Sequence, residues 1–345
     1  MNQRTSINEI PSLVRDNLAL FKCPSCGSEL AVSQPDDGLT CTDCSETFAV
    51  DNGIPLLFRR NEWGDKSDVT ETVKGFYEVN PFPNYEDIDS EWLLKESANR
   101  GIFARLLDEQ LPWNAKVLEV GCGTGQLSNF LGMSRGRIVF GADICLNSLS
   151  LGHQFKSEHR LEHSAFLQMN LFRPAFKPEM FDLVVCSGVL HHTSDPELGF
   201  KSVSKLVKKN GLIIIGLYNR YGRLSTDLRR AIFRASGNRF KFLDRRLRDK
   251  SVGEVRRHTW FMDQYKHPYE SKHTYGQVLK WFDDSGFEFV NSIPKATAFD
   301  SIKADEKLFD TNQQGSWLDR FIVQTGMLIS GGSEGGFFLM IGRKV

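Results

Sequence analysis

The 345-residue sequence has no long apolar run. Its longest, Leu212 to Leu217, falls far short of the roughly 20 residues that a membrane-crossing helix needs, so no membrane span is expected. It has no apolar leader either: Met1 to Asp16 alternates polar and charged residues, unlike a secretory signal, and a cytoplasmic location is the expectation. It has no excess of charge, with 43 Lys+Arg against 43 Asp+Glu, so the global balance singles out no polyanion, and DNA is not an expected partner. There is no internal repeat and no low-complexity tract. Cysteine is sparse, at 7 residues, and in a reducing compartment these read as thiols or metal ligands rather than a disulfide framework. What remains is ordinary soluble composition in a chain long enough for one large domain and a small one.

The most informative stretch is Lys116-Val117-Leu118-Glu119-Val120-Gly121-Cys122-Gly123-Thr124-Gly125-Gln126-Leu127. An apolar run ends near an acid and then in alternate glycines. Apolar residues resume at helical spacing through Leu127, Phe130 and Leu131. The pattern predicts strand, tight turn, helix, the way an open α/β sheet builds a nucleotide pocket. Glycine lacks Cβ, so the chain can take positive φ and a ligand can lie directly on it. A dinucleotide fingerprint counted from Gly121 needs a glycine at 126, where Gln126 stands; counted from Gly123 it ends at Ser128.

Gly121-x-Gly123-x-Gly125 preceded by Glu119 resembles motif I of the class I S-adenosylmethionine-dependent methyltransferases, of the type 11-like group. The resemblance implies S-adenosylmethionine as cofactor, held by Glu119, Gly121, Cys122, Gly123, Gly125 and Gln126. Later segments extend it. Arg137 to Asp143 reads as a second strand ending in an acid about 20 residues past the turn, where a carboxylate grips ribose hydroxyls; Ile144 adjoins it. Ala165 to Leu171 is the third strand. The family often has an aspartate there for the adenine amino group, and this chain offers the Asn170 amide oxygen beside Leu171. Phe181 to His192 is a buried strand and exit loop that resembles motif IV, with Ser187 at the strand end and a Gly188-Val189-Leu190-His191-His192-Thr193 run common in enzymes of the ubiquinone-biosynthesis type. Asp195-Pro196 caps the next helix. Gly211 to Leu217 follows a Lys208–Gly211 turn as the fifth strand, Phe287 to Ile293 is the sixth, and Gly335 to Val345 the last. The implied fold is a doubly wound, seven-stranded, mostly parallel Rossmann-like sheet with the last strand antiparallel between the fifth and sixth.

Ahead of it, Cys23-Pro24-Ser25-Cys26 and Cys41-Thr42-Asp43-Cys44 form a CxxC pair whose gap is one residue short of the usual range. Four thiolates close a tetrahedral zinc shell with no open position, which makes the expected zinc structural. A segment this small buries too little to fold alone. It resembles the zinc-ribbon heads of some RNA and small-molecule methyltransferases. The expected organisation is a zinc-ribbon-like domain at 18–60, a linker with a lid and helix at 61–114, and a methyltransferase domain at 115–345 with insertions at about 218–273 and 299–334. In the lid, Phe76 to Tyr85 carries two prolines, with Tyr77 or Tyr85 turned inward or packing between ribbon and sheet; Trp92 to Leu111 reads as one helix.

His191 and His192 at the pocket mouth are the candidate bases, since the imidazole pKa lies near neutral pH, with Tyr218 a third candidate catalytic residue. His258, His267, Glu270 and His273 are candidates for the acceptor pocket. The first expectation is a methyltransferase for a small or medium-sized metabolite. The alternative is an RNA methyltransferase, for which the ribbon and the basic stretch Arg229 to Arg257, with Phe233, Phe240, Phe242 and Trp260 interleaved, are the arguments; the same stretch also reads as a solvated helical excursion. A third reading is a cofactor-binding scaffold without chemistry. Oligomeric state is not legible.

Overall fold

The computed structural model describes residues 9–63, 68–330 and 335–345. Residues 1–8, part of the 61–114 linker and the end of the 299–334 insertion lie outside them.

Among the described residues eleven strands form one sheet: β1 (Leu30–Val32), β2 (Gly38–Cys41), β3 (Thr47–Asp51), β4 (Ile54–Leu57), β5 (Lys116–Val120), β6 (Ile138–Asp143), β7 (Ser164–Met169), β8 (Phe181–Ser187), β9 (Val207–Tyr218), β10 (Phe287–Ile293) and β11 (Phe337–Lys344). Seven of them stand in the order β7-β6-β5-β8-β9-β11-β10. β5 to β9 pair in parallel, and β11 runs antiparallel between β9 and β10, as expected for the class I fold. Strands buried on both faces require continuous apolar runs, and β7 is buried at every position.

The ribbon is not a detached head. β4 pairs in parallel with β7, Leu56 opposite Gln168 and Leu57 opposite Met169, so the four ribbon strands extend the same sheet. Its apolar residues join the main core: Phe21 packs edge-on against Phe140 at 5.4 Å and lies 4.6 Å from Phe176. A segment too small to bury its own core thus shares its neighbour's.

Two local expectations need correction. Trp92 to Leu111 is two helices, Glu91–Asn99 and Ile102–Gln110, because Gly101 takes an extended conformation as the second helix's N-cap. Lys208 to Gly211 do not end before the strand. They bulge within β9, where the register with β8 shifts between Phe181/Val207 and Leu183/Leu212, and Asn210 takes positive φ.

Candidate active site

At the carboxyl ends of the parallel strands lies a cavity of about 820 Å³, within the range of small-molecule sites. The glycine turn forms one wall. Gly121, Gly123 and Gly125 have φ of 71°, 54° and 71°, and a Cβ added to them would overlap the Val189 side chain, the Phe82 carbonyl and the Phe166 ring respectively. No residue with a side chain fits there without displacing backbone or core. Gly125 then opens the helix Gln126–Gly132.

Two carboxylates flank the turn. Asp143 accepts the Gly123 N–H and the Cys145 N–H, both at 2.8 Å, one on each oxygen, which leaves lone pairs for a ligand. Burial holds its carboxyl above the usual range, against those hydrogen bonds. Glu119 accepts the Ser128 hydroxyl, and burial pushes its carboxyl up to about 7. Glu119, Gly121, Cys122, Gly123, Asp143, Ile144, Asn170, Leu171 and Ser187 all line the cavity. Asn170 is held by donating to the Arg59 carbonyl and the Asn61 side chain, while its own oxygen accepts the Phe172 N–H. The chain leaving β4 therefore orients a cavity residue. Gly125 and Gln126 lie off the wall. Gln126 instead donates to the Asn84 carbonyl at 2.7 Å, as Thr124 does to Pro83 at 2.6 Å, which clamps the 82–85 loop to the glycine turn. Of the two lid tyrosines, Tyr77 lines the cavity; Tyr85 stacks on Phe155 in the core.

Residues 118–215 match a methyltransferase domain family. These residues form a methyltransferase domain, on a sheet with the class I strand order. It is 26% identical over 202 residues to an uncharacterized protein of Synechococcus sp., covering 51% of this chain and 48% of that one. It is 33% identical over 109 residues to a ubiquinone biosynthesis O-methyltransferase of Haemophilus ducreyi, covering 30% and 46%. The chain spans about half the length of these curated relatives. In fold it is similar to PKMT2 from Rickettsia typhi, solved in complex with AdoHcy, at 17% identity and a TM-score of 0.50 over 71% of this chain and 53% of that one.

The methyltransferase domain's remaining cavity wall is a polar cluster set in apolar surroundings. His192 lines the cavity and pairs through Nδ1 with the Tyr269 carbonyl at 2.8 Å. A carbonyl only accepts, so Nδ1 carries the proton and Nε2 keeps its lone pair. Burial lowers the ring's pKa to about 4, so it is neutral at physiological pH. His191 does not reach the cavity: it is buried between His192 and Tyr218, with centroids 4.1 and 4.4 Å away, and neither ring nitrogen has a hydrogen-bond partner among the described residues. Both histidines sit on the short helical turn Leu190–His192, and of the two only His192 lines the cavity.

Tyr218 lines the cavity at the end of β9. Its hydroxyl accepts from Gln264 at 2.6 Å, which keeps the phenol proton for donation, and burial raises its pKa. The fully buried Arg223 guanidinium lies 3.6 Å over the Tyr218 ring and forms a bidentate pair with Glu270. Asp263 and Gln264 reach the wall from a π-helical turn, Met262–Lys266, a distortion common at functional sites. Asp263 accepts the Tyr77 hydroxyl at 3.1 Å and the Gln264 amide at 2.8 Å; burial raises its pKa. Asp263, Gln264 and Arg223 escape the sequence reading. The available signal was an acid between Met262 and Tyr265, an apolar setting in which a carboxylate is costly.

The other acceptor-pocket candidates do not line the cavity. His258 is exposed on its helix, Glu270 is spent on Arg223 and Arg230, and His273 bonds Ser271 at 2.9 Å. His267 backs the wall, stacked on His192 at 3.6 Å. Of the basic stretch, Arg229, Arg230, Arg256 and Arg257 are tied to neighbouring side chains or carbonyls. In the ribbon, the sulfurs of Cys23, Cys26, Cys41 and Cys44 all lie within 4.8 Å of one another, with Cys23–Cys44 at 3.8 Å and Cys26–Cys41 at 3.4 Å. A tetrahedral shell with metal–sulfur bonds of about 2.3 Å puts sulfurs about 3.8 Å apart.

Proposed function

We propose that this chain transfers a methyl group from S-adenosylmethionine to an oxygen of a small or medium-sized, largely apolar metabolite, with His192 as general base. The observation that carries the reading is the tautomer of His192: a neutral ring on the cavity wall, its Nδ1 proton committed to Tyr269. The bare glycine turn between Glu119 and Asp143 fits the cofactor, whose ribose hydroxyls and cationic end call for acceptors on uncovered backbone. When bound, the cofactor supplies an already electrophilic methyl group. The protein's part is to align an acceptor and exclude water, a task for the 82–85 clamp, and to take the acceptor's proton at Nε2 of His192. Tyr218 and Asp263 orient the acceptor, one as donor, the other as acceptor. Ile102, Phe103, Ile293, Ile302, Phe337 and Leu339 also line the wall, which favours an apolar body over a nucleotide. The name of the Haemophilus relative supports an oxygen acceptor. The four ribbon cysteines hold a structural zinc.

The test is to incubate lysate of a strain lacking the gene with methyl-labelled cofactor and this protein, then separate RNA, protein and small molecules. Label in an apolar small-molecule fraction is expected. Label in RNA overturns the metabolite reading; cofactor binding by calorimetry with no labelled fraction makes the chain a scaffold.

A further inference from the structure

The steepest local charge imbalance lies outside the cavity. Residues 239–250 carry Arg239, Lys241, Arg245, Arg246, Arg248 and Lys250 against two carboxylates, in a chain whose total charge is zero. All six cations are exposed. Asp244 is buried, taking the Tyr265 hydroxyl and capping the N–H groups of Arg246 and Leu247, so it anchors the segment and does little to neutralise its outer face. Among these cations Phe240, Phe242 and Leu243 are 45%, 56% and 44% exposed, the two rings edge to face at 5.8 Å. Exposed aromatic and aliphatic side chains inside a cationic patch are the composition of a surface that enters the boundary between headgroups and acyl chains. The segment also reaches the cavity, since Arg246 lines it and stacks over Trp260, another lining residue. The second excursion also exposes aromatic rings beside the cavity, without the cationic excess: Ile302 lines the cavity while Phe299 and Trp317 are 98% and 72% exposed.

We propose that residues 239–250 dock this chain on an anionic lipid surface. The six cations meet headgroup phosphates, Phe240, Phe242 and Leu243 enter the acyl boundary, and an apolar acceptor reaches the cavity from the bilayer. The delivery half rests on the proposed methyl transfer; the docking half does not. RNA fits the same cations less well, because Leu243 offers no face for a base to stack on.

The full-length protein is to be sedimented with vesicles of phosphatidylcholine alone and of phosphatidylcholine mixed with phosphatidylglycerol, at low and high salt. Binding to the mixed vesicles only, weakened by salt, is expected. Arg245→Glu with Arg248→Glu is expected to cut it about tenfold or more. Phe240→Ser with Phe242→Ser is expected to cut it while leaving the salt dependence in place. Calorimetry with S-adenosylhomocysteine on both variants checks that the domain is folded, and it tests the cofactor reading separately from vesicle binding. Absence of sedimentation overturns the proposal. So does single-stranded RNA that displaces the protein from vesicles and binds more tightly at the same salt, or a solution dimer that the phenylalanine variant dissolves while vesicles leave it untouched.

Discussion

His192 and His191 are neighbours in sequence and opposites in setting. One keeps a lone pair at the cavity wall; the other is sealed between two rings. His192→Ala is expected to lower kcat by about 10²–10⁴-fold, the usual worth of a positioned base, with cofactor affinity by calorimetry unchanged. A parallel loss of affinity would move His192 into the cofactor shell. His191→Ala leaves a void in the core, so its effect is expected in the melting temperature first. Gly121→Ala works through backbone: at φ 71° the new Cβ overlaps Val189, and cofactor affinity is expected to fall tenfold or more while the purified variant stays folded. Unchanged affinity would show that the turn is not the cradle. The glycines were legible in sequence because spacing alone demands positive φ. Choosing between two adjacent histidines was not, because that depends on how a short helical turn aims each side chain.

At the scale of elements, the ribbon and the cavity are coupled through β4. That strand pairs with β7, and the chain leaving it holds Asn170 through the Arg59 carbonyl. Removing metal with a chelator, or replacing Cys26 by Ser, is expected to increase amide exchange in 54–57 and at the β7 edge, and to weaken cofactor binding several-fold. Exchange confined to 18–51, with binding intact, would make the ribbon an independent appendage. Sequence announced the four cysteines through their spacing. It carried no sign that β4 continues the sheet, since Ile54–Leu57 reads equally well as an edge strand of the ribbon alone; the pairing exists because the exposed edge of β7 needs a partner.

Across the whole molecule, burial leaves an acid-sensitive signature. His192 and His273 are buried, with pKa values lowered to about 4, and His267 to about 3. The unfolded chain takes up these protons near the ordinary value of 6.5, so the stability the rings contribute is complete above that pH and drains away as pH falls toward 4. Glu119, raised to about 7, acts in the opposite sense between its ordinary value and 7. The melting temperature is therefore expected to fall as pH is lowered from about 7.5 to 5, with a shallower fall in His192→Asn and His267→Asn. Equal slopes in variant and wild type would show that these rings do not titrate with folding. The sequence by itself determined the strand succession, the glycine turn, the acid at 143 and the thiolate quartet, because each rests on local periodicity or on spacing within a few residues. Only the tertiary structure decided that Asp263 and Gln264 join Tyr218 and His192 around one cavity, that Arg223 packs over Tyr218, that Glu270 serves that arginine, and that the ribbon shares the sheet. Those are contacts between segments tens of residues apart, whose free energy comes from burial and pairing that no local pattern encodes.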